Sequence, residues 1–308
     1  MFAIEVGQEL RDSLARAGIP ALFSNFVLLP LSQPGKILSD SPSLGWAQLI
    51  RASCLSVHGS LATAVKIAAA MEALAAGLDI LDEIEDSDHS PFVLSAGLPQ
   101  ALNASTALIF LSQRIVSELR EIGVDPTLVV DCFFTLARLG LNATHGQHKD
   151  LSTDARSGIS LDAALQITSE KSGSLAACAC RLGARLGTAE PEILQLYEQF
   201  GQHYGTMVQL SNDLHDAQND VQKTDLARAK PTLPVLFYVR QLGSGTMQEL
   251  TTKDVINSGA LHFAWTIFEM QRKRCLSILD ELDERDQMTA HIRSIIGQSR
   301  NQEHTVDE

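Results

Sequence analysis

The chain has 308 residues, 45% of them hydrophobic but only 5% aromatic, and a formal net charge of −13. That charge argues against nucleic acid and anionic membrane surfaces as partners, so an anionic ligand would need metal ions or a local cluster of Lys and Arg. The length is ample to bury a sizeable core with a cavity inside.

No Pro/Gly/Ser-rich linker or break in composition divides the chain, which reads as one domain over 1–308. Five cysteines, Cys54, Cys132, Cys178, Cys180 and Cys275, form no CxxC pair and sit in apolar, helix-like contexts. Buried free thiols in a reducing cytosol are the reading. The start, MFAIEVGQELRDSL, lacks the basic–apolar–small order of a signal peptide, and no run of 18 or more uncharged apolar residues occurs. The expectation is a soluble cytoplasmic protein without a transmembrane segment.

In chain order, residues 1–43 form an N-terminal arm with one amphipathic helix over about 5–16. The stretch AGIPALFSNFVLLPLSQPG then interrupts any long helix with its prolines and glycines. From Trp46 apolar residues recur at three and four, and turns fall at HGS, AGLPQ, GVDPT, TDARSG, GTAEPE and NSG. The pattern predicts helices over 46–57, 60–85, 98–122, 126–149, 160–187, 190–220, 230–243, 246–257 and 259–283. No strand pair joined by a hairpin turn is evident. The tail from Gly297, ending NQEHTVDE, is expected to fray. The fold class is all-α, a bundle whose sites lie between facing helices.

The stretch Ile67–Asp88 is apolar on nearly every side in its first half and then carries Asp79, Asp82, Glu83 and Asp86. At about 100° per residue these four share one arc of a helix. Crowded at the end of a buried helix, they repel one another by several kcal/mol (~) unless a cation neutralises them. An oxygen-preferring ion such as Mg²⁺ is the simplest partner. A second stripe follows in Gln209, Asn212, Asp213, Asp216 and Asp220. One acidic stripe alone is usually a solvated helix face. Two of them at the C-terminal ends of apolar helices, followed by Lys223, Asp225, Arg228 and Lys230, fit a phosphate carried by metals. Gly146–Asp150 (GQHKD) and Glu170–Ser174 (EKSGS) are two further polar spots, each alone equally readable as a helix terminus or a surface lysine.

The order and spacing of DEIED (82–86), GQHKD (146–150), EKSGS (170–174), QLSNDLHD (209–216) and DLARAKPTLP (225–234) resemble the trans-isoprenyl diphosphate synthase family over about residues 44–285. AMEALAAGLDILDEIEDSD, GQHKD and KSGSLAA are most similar to the bacterial competence-pheromone isoprenyltransferases, which prenylate a peptide tryptophan. The resemblance implies a class I isoprenoid-synthase bundle around a central apolar cavity, a homodimer, and Mg²⁺ ions that bridge to an allylic prenyl diphosphate. Asp82, Glu83, Asp86, Asn212, Asp213, Asp216 and Asp220 then fall to the metals. Lys171, Lys223 and Lys230 fall to the diphosphate, and Gln147, Asp150 and Gln209 to contacts beside it. Gly77 and Leu78, just before Asp82, would line the prenyl tail, and Gly77→Phe is expected to shorten the tail accepted.

Chain-elongating members carry Gly-Lys-Arg-x-Arg-Pro for isopentenyl diphosphate. Here the local lookalike Pro34-Gly35-Lys36-Ile37-Leu38-Ser39 has Ile37 and Ser39 where arginines belong. Alignment back from Glu72 instead puts Ser43–Trp46 there, again without arginine, and the usual Arg-Arg-Gly after the first acidic motif is Pro91-Phe92-Val93. The second diphosphate therefore lacks fork-shaped donors, which points to a non-isopentenyl acceptor, a peptide among the options. A terpene synthase, an elongating synthase with unusual contacts and a silent subunit are the alternatives. Asn212, Asp216 and Asp220 match the i, i+4, i+8 metal spacing of the terpene synthases, with Asp216 in place of their Ser or Thr, while the scarcity of aromatics speaks against cyclisation.

Overall fold

A computed structural model describes residues 1–40, 45–87, 90–153, 158–218, 232–242 and 252–301. Every regular element among them is helical. By internal contacts the chain forms two compact units. The first comprises Met1–Arg138, Cys178–Glu198 and Arg285–Ile292; the second comprises Leu139–Ala177, Gln199–Glu284 and Arg293–Glu308.

The first unit is built on α4 (Leu61–Glu85), which packs against α1 (Phe2–Arg16), α3 (Gly45–Ser56) and α6 (Leu98–Glu118). Ser60 starts α4 by accepting the Thr63 N–H at 3.3 Å, the ordinary way to satisfy an orphan donor of the first turn. Ala64, Ala68, Ala69, Ala73 and Ala76 are buried, and such small side chains let neighbouring helices approach closely. Ile67, Met71 and Ile80 fill the space between, each burial contributing roughly 1.5–3 kcal/mol. By length and composition α4 alone among the described helices is apolar enough to cross a membrane, yet 67% of its apolar window is buried inside the protein. Its apolarity is that of a core helix.

The N-terminal residues join this core. Val6, Leu10 and Leu14 of α1 are buried, and an ion-pair group pins the helix down. Lys66 reaches Glu9 at 2.6 Å, Arg16 pairs with both Glu9 and the buried Glu118, and Ser13 donates to Glu118 at 3.0 Å. All five cysteines are free and buried. Burial pushes the Cys54 thiol up to about 11 and those of Cys132 and Cys180 to about 12, so they are inert nucleophiles.

The second unit contains α8 (Leu161–Thr168), α11 (Leu233–Leu242), α12 (Thr252–Asn257), α13 (Ala260–Glu284) and the C-terminal part of α10 (Pro191–Gln218). Met207, Leu210, Leu214, Leu233, Leu236 and Phe268 form its core. α7 (Pro126–Leu151) and α9 (Ser174–Arg185) each contribute to both units.

Three sequence expectations need correction. The helix expected over 160–187 is two helices, α8 and α9, joined by a π-helical turn at Ser169–Gly173. Short helices α2 (Ala21–Leu28), α5 (Pro91–Ala96) and α14 (Ala290–Asn301) appear where none was expected. α14 runs through Gly297 to Asn301 rather than fraying from Gly297; the remainder of that tail lies outside the described residues. α2 and α5 begin at Pro20-Ala21 and Pro91, where proline suits a helix start; Pro20 thus opens a helix within the stretch expected only to interrupt one.

Candidate active site

In the first unit, the last two turns of α4 carry Asp79, Asp82 and Glu83, and Asp86 caps its C-terminus, all four half-buried. Asp79 and Glu83 have partners that the periodicity of the helix does not reveal. Lys36 Nζ lies 2.7 Å from Asp79 Oδ2. Burial works against the Lys36 ammonium, but Asp79, then Glu72 and Glu83, outweigh it and raise its pKa. Ser90 donates to Glu83 at 2.6 Å while accepting the Val93 N–H at 3.3 Å, so Glu83 steadies the cap that opens α5. Asp82 and Asp86 stand one helical turn apart on the same stripe.

Two turns before Asp79 sits Glu72, a buried carboxyl that accepts the Ala47 N–H at 2.8 Å and so satisfies the first turn of α3. Burial pushes it up to about 7, against the Ala47 N–H and Lys36 and with help from Asp79. Gly45 adopts φ +44, and a Cβ there would meet Glu72 Oε1 at 3.2 Å. The chain thus needs glycine where α3 begins beside that carboxyl.

Gly77 does not behave as a tail-lining residue. A Cβ on it would meet Ser105 O at 3.0 Å and Ile109 Cγ1 at 3.1 Å, and Ser105 donates to the Gly77 carbonyl at 2.8 Å. Gly77 is a close-approach point between α4 and α6. Leu78 is half-buried, as is Leu74 one turn earlier.

In the second unit, the π-turn Ser169–Gly173 holds Lys171. Its backbone is pressed between helices by glycines on both sides. A Cβ on Gly146 of α7 would meet Lys171 N at 2.4 Å, and one on Gly205 of α10 would meet Ser172 O at 2.6 Å. Gln202 Nε2 donates to the Ser169 carbonyl at 2.5 Å. Such turns break the regular i→i−4 ladder and recur at functional sites. From this turn polar contacts run outward. Lys171 Nζ lies 3.2 Å from Asp150 Oδ2, and Ser172 donates to Gln209 Oε1 at 3.0 Å. Gln209 Nε2 donates to Asp213 Oδ1 at 2.9 Å. Asp213 is buried, Asn212 and Asp216 are exposed, and Gln147 is half-buried. The second acidic stripe therefore straddles the edge between core and solvent. Asp150, Lys171, Gln209 and Asp213 are brought into this one unit; Asp220, Lys223 and Lys230 lie outside the described residues. Gln202 and Gly205 went unnoticed in sequence because a polar residue and a glycine inside a helical pattern carry no mark of their partner.

Among the described residues no three His, Cys, Asp or Glu side chains gather to hold a metal by themselves. The donors are carboxylate pairs such as Asp82 with Asp86, all oxygen. Mg²⁺ keeps several waters and commonly takes one or two carboxylates plus substrate phosphates. The donor set fits that ion arriving with a phosphorylated substrate.

The sequence profile of the polyprenyl synthetase family matches residues 32–264. The chain belongs to the polyprenyl synthetase family. Within it, 236 residues are 28% identical to the tryptophan prenyltransferase ComQ of Bacillus spizizenii, covering 74% of this chain and 80% of that protein. A geranylgeranyl diphosphate synthase of Mycobacterium tuberculosis is 28% identical over 201 residues, 62% of this chain and 56% of that enzyme. The geranylgeranyl pyrophosphate synthetase of the archaeon Geoglobus acetivorans shares the fold with a TM-score of 0.81 over 97% of both chains, at 18% identity. The all-α class read from the sequence is thus that of the chain's fold neighbours, and the chain is a member of a family of prenyl-transferring enzymes.

Proposed function

We propose that this protein ionises an allylic prenyl diphosphate in a Mg²⁺-dependent reaction and passes the prenyl group to an acceptor other than isopentenyl diphosphate, a tryptophan-bearing peptide being the acceptor class that its similarity to a tryptophan prenyltransferase favours. One observation carries this reading. Where a second diphosphate would need guanidinium forks, the chain offers Lys36, and Lys36 is already committed to Asp79 among the carboxylates Glu72 and Glu83. Positions 37, 39 and 91–93 supply no arginine. A second anion gains little beside that group.

In this reading Asp82, Asp86, Asp213 and Asp216 hold Mg²⁺, with Glu83, Asn212 and Asp220 as further oxygen donors. The bound ion supplies Lewis-acid charge stabilisation at the diphosphate oxygens. Lys171, steadied by Asp150, adds positive charge to the leaving pyrophosphate, which departs with the electron pair of the C–O bond; Lys223 and Lys230 act likewise. Gln209 orients Asp213, and Gln147 lies on the diphosphate side. The apolar residues before Asp82, Leu74 and Leu78 among them, keep water from the allylic cation until the acceptor attacks and releases a proton.

The test is product analysis by mass spectrometry after incubation of the purified protein with labelled farnesyl diphosphate and Mg²⁺. Three arms contain a tryptophan-bearing peptide, isopentenyl diphosphate, or no acceptor. The expected result is a prenylated peptide and no elongated diphosphate. A C20 diphosphate in the second arm overturns the proposal in favour of elongation, and a hydrocarbon in the third overturns it in favour of cyclisation.

A further inference from the structure

Residues 149 and 150 of α7 are Lys-Asp, and residues 170 and 171 of the π-turn are Glu-Lys. They pair in parallel: Lys149 Nζ reaches both oxygens of Glu170 at 2.9 and 2.8 Å, and Lys171 Nζ reaches Asp150 Oδ2 at 3.2 Å. Glu170 is further held by Gln166 Nε2 at 2.9 Å, with His145 Nδ1 at 3.6 Å. Burial works to raise the Glu170 carboxyl, but Lys149 and Gln166 outweigh it and keep it below its ordinary range. A shift of one residue between α7 and the π-turn would set Glu170 against Asp150 or Lys171 against Lys149. Like charges so placed repel. The two neighbouring pairs therefore specify a single register.

That register matters because a lysine ammonium rides on a flexible four-carbon stem, and its position is fixed by its backbone and its partner rather than by its own shape. A π-turn, lacking the regular ladder, persists where surrounding contacts over-determine it. Gly146, three residues before Lys149, provides the backbone contact, and the Lys149–Glu170 pair provides the charge contact beside it.

We propose that Glu170 and Lys149 are positioning residues, whose ion pair fixes the π-turn in the register that brings Lys171 to Asp150 and so sets where the Lys171 ammonium meets a diphosphate. This rests on the reading of Lys171 as a diphosphate contact. Neither Glu170 nor Lys149 touches the substrate in this account.

The test is calorimetric titration of the full-length protein with inorganic pyrophosphate in the presence of Mg²⁺, and separately with farnesol as a neutral probe. Glu170→Gln and Lys149→Met are each expected to weaken pyrophosphate binding about tenfold, the scale of a lost charge-assisted contact, with farnesol binding unchanged. In a Lys171→Ala background, Glu170→Gln is expected to add less than about twofold, because its effect passes through Lys171. Pyrophosphate affinity that survives both single substitutions overturns the positioning role. So does a loss that persists undiminished in the Lys171→Ala background or extends equally to farnesol, since that marks general loosening. Wild-type protein with no Mg²⁺-dependent affinity for pyrophosphate overturns the functional reading and the positioning role with it.

Discussion

Glu72 shows how a single residue on the first acidic helix couples burial to pH. Its carboxyl titrates near 7 in the folded chain, where burial opposes ionisation, against an ordinary value of 4.5. The folded state therefore holds this proton more tightly than the unfolded one, and stability falls as pH rises from about 4.5 through 7, by about 3 kcal/mol in all. Glu72→Gln keeps an oxygen for the Ala47 N–H and removes the titration. The expected outcome is a melting temperature several degrees above wild type at pH 8 and close to it at pH 5, read by thermal unfolding at both. Lys36 and Glu72 also mark the limit of what the sequence discloses at this scale. The acidic stripe was legible from its spacing, but the partner of Asp79 lies 43 residues away, and that of Glu72, two turns before the stripe, lies 25 away. Helical periodicity carries no information about contacts at that separation.

At the scale of the helix, glycines decide where elements touch. Gly77 was expected beside the prenyl tail because it is small and just precedes Asp82. In fact the α6 backbone occupies the space. Gly77→Phe is accordingly expected to lower the melting temperature through overpacking of roughly 1–3 kcal/mol or more, rather than to change chain length. Leu78→Phe is the better probe of tail length, and should shorten the prenyl group accepted in a competition between C10 and C15 diphosphates while leaving the melting temperature near wild type.

α7 offers an internal comparison. Gly140 has open space around a Cβ, whereas Gly146 abuts Lys171 N at 2.4 Å. Gly140→Ala should stabilise by roughly 0.5–1 kcal/mol through helix propensity. Gly146→Ala should destabilise and weaken Mg²⁺–pyrophosphate binding, as displaced backbone carries Lys171 with it. The long helix α4 was legible from its unbroken apolar run, and α7, α10 and α13 because their apolar spacing persists over many turns. The π-turn was not, because EKSG fits helical periodicity as well as its surroundings do; only the facing glycines and Gln202 distinguish it.

For the whole molecule, a chain of net charge −13 that binds a diphosphate must concentrate its compensating charge locally. In the proposed function that compensation falls to Lys171, beside Asp150, and to a divalent ion that Asp82 and Asp86 would hold. The family and the fold followed from five motifs in order, and the profile match over residues 32–264 agrees with that family reading. The acceptor could not follow in the same way, because absent arginines argue against isopentenyl diphosphate without naming what takes its place. The central claim is that the carboxylates at the ends of α4 and α10 serve a Mg²⁺-borne diphosphate, and it is tested most directly by the rate of pyrophosphate release from farnesyl diphosphate in the presence of the acceptor peptide. Wild-type release should vanish on chelation with EDTA, return with Mg²⁺, and fall at least ~10²-fold in both Asp82→Ala and Asp213→Ala. Release that is indifferent to EDTA, or near-normal in either variant, would contradict the account.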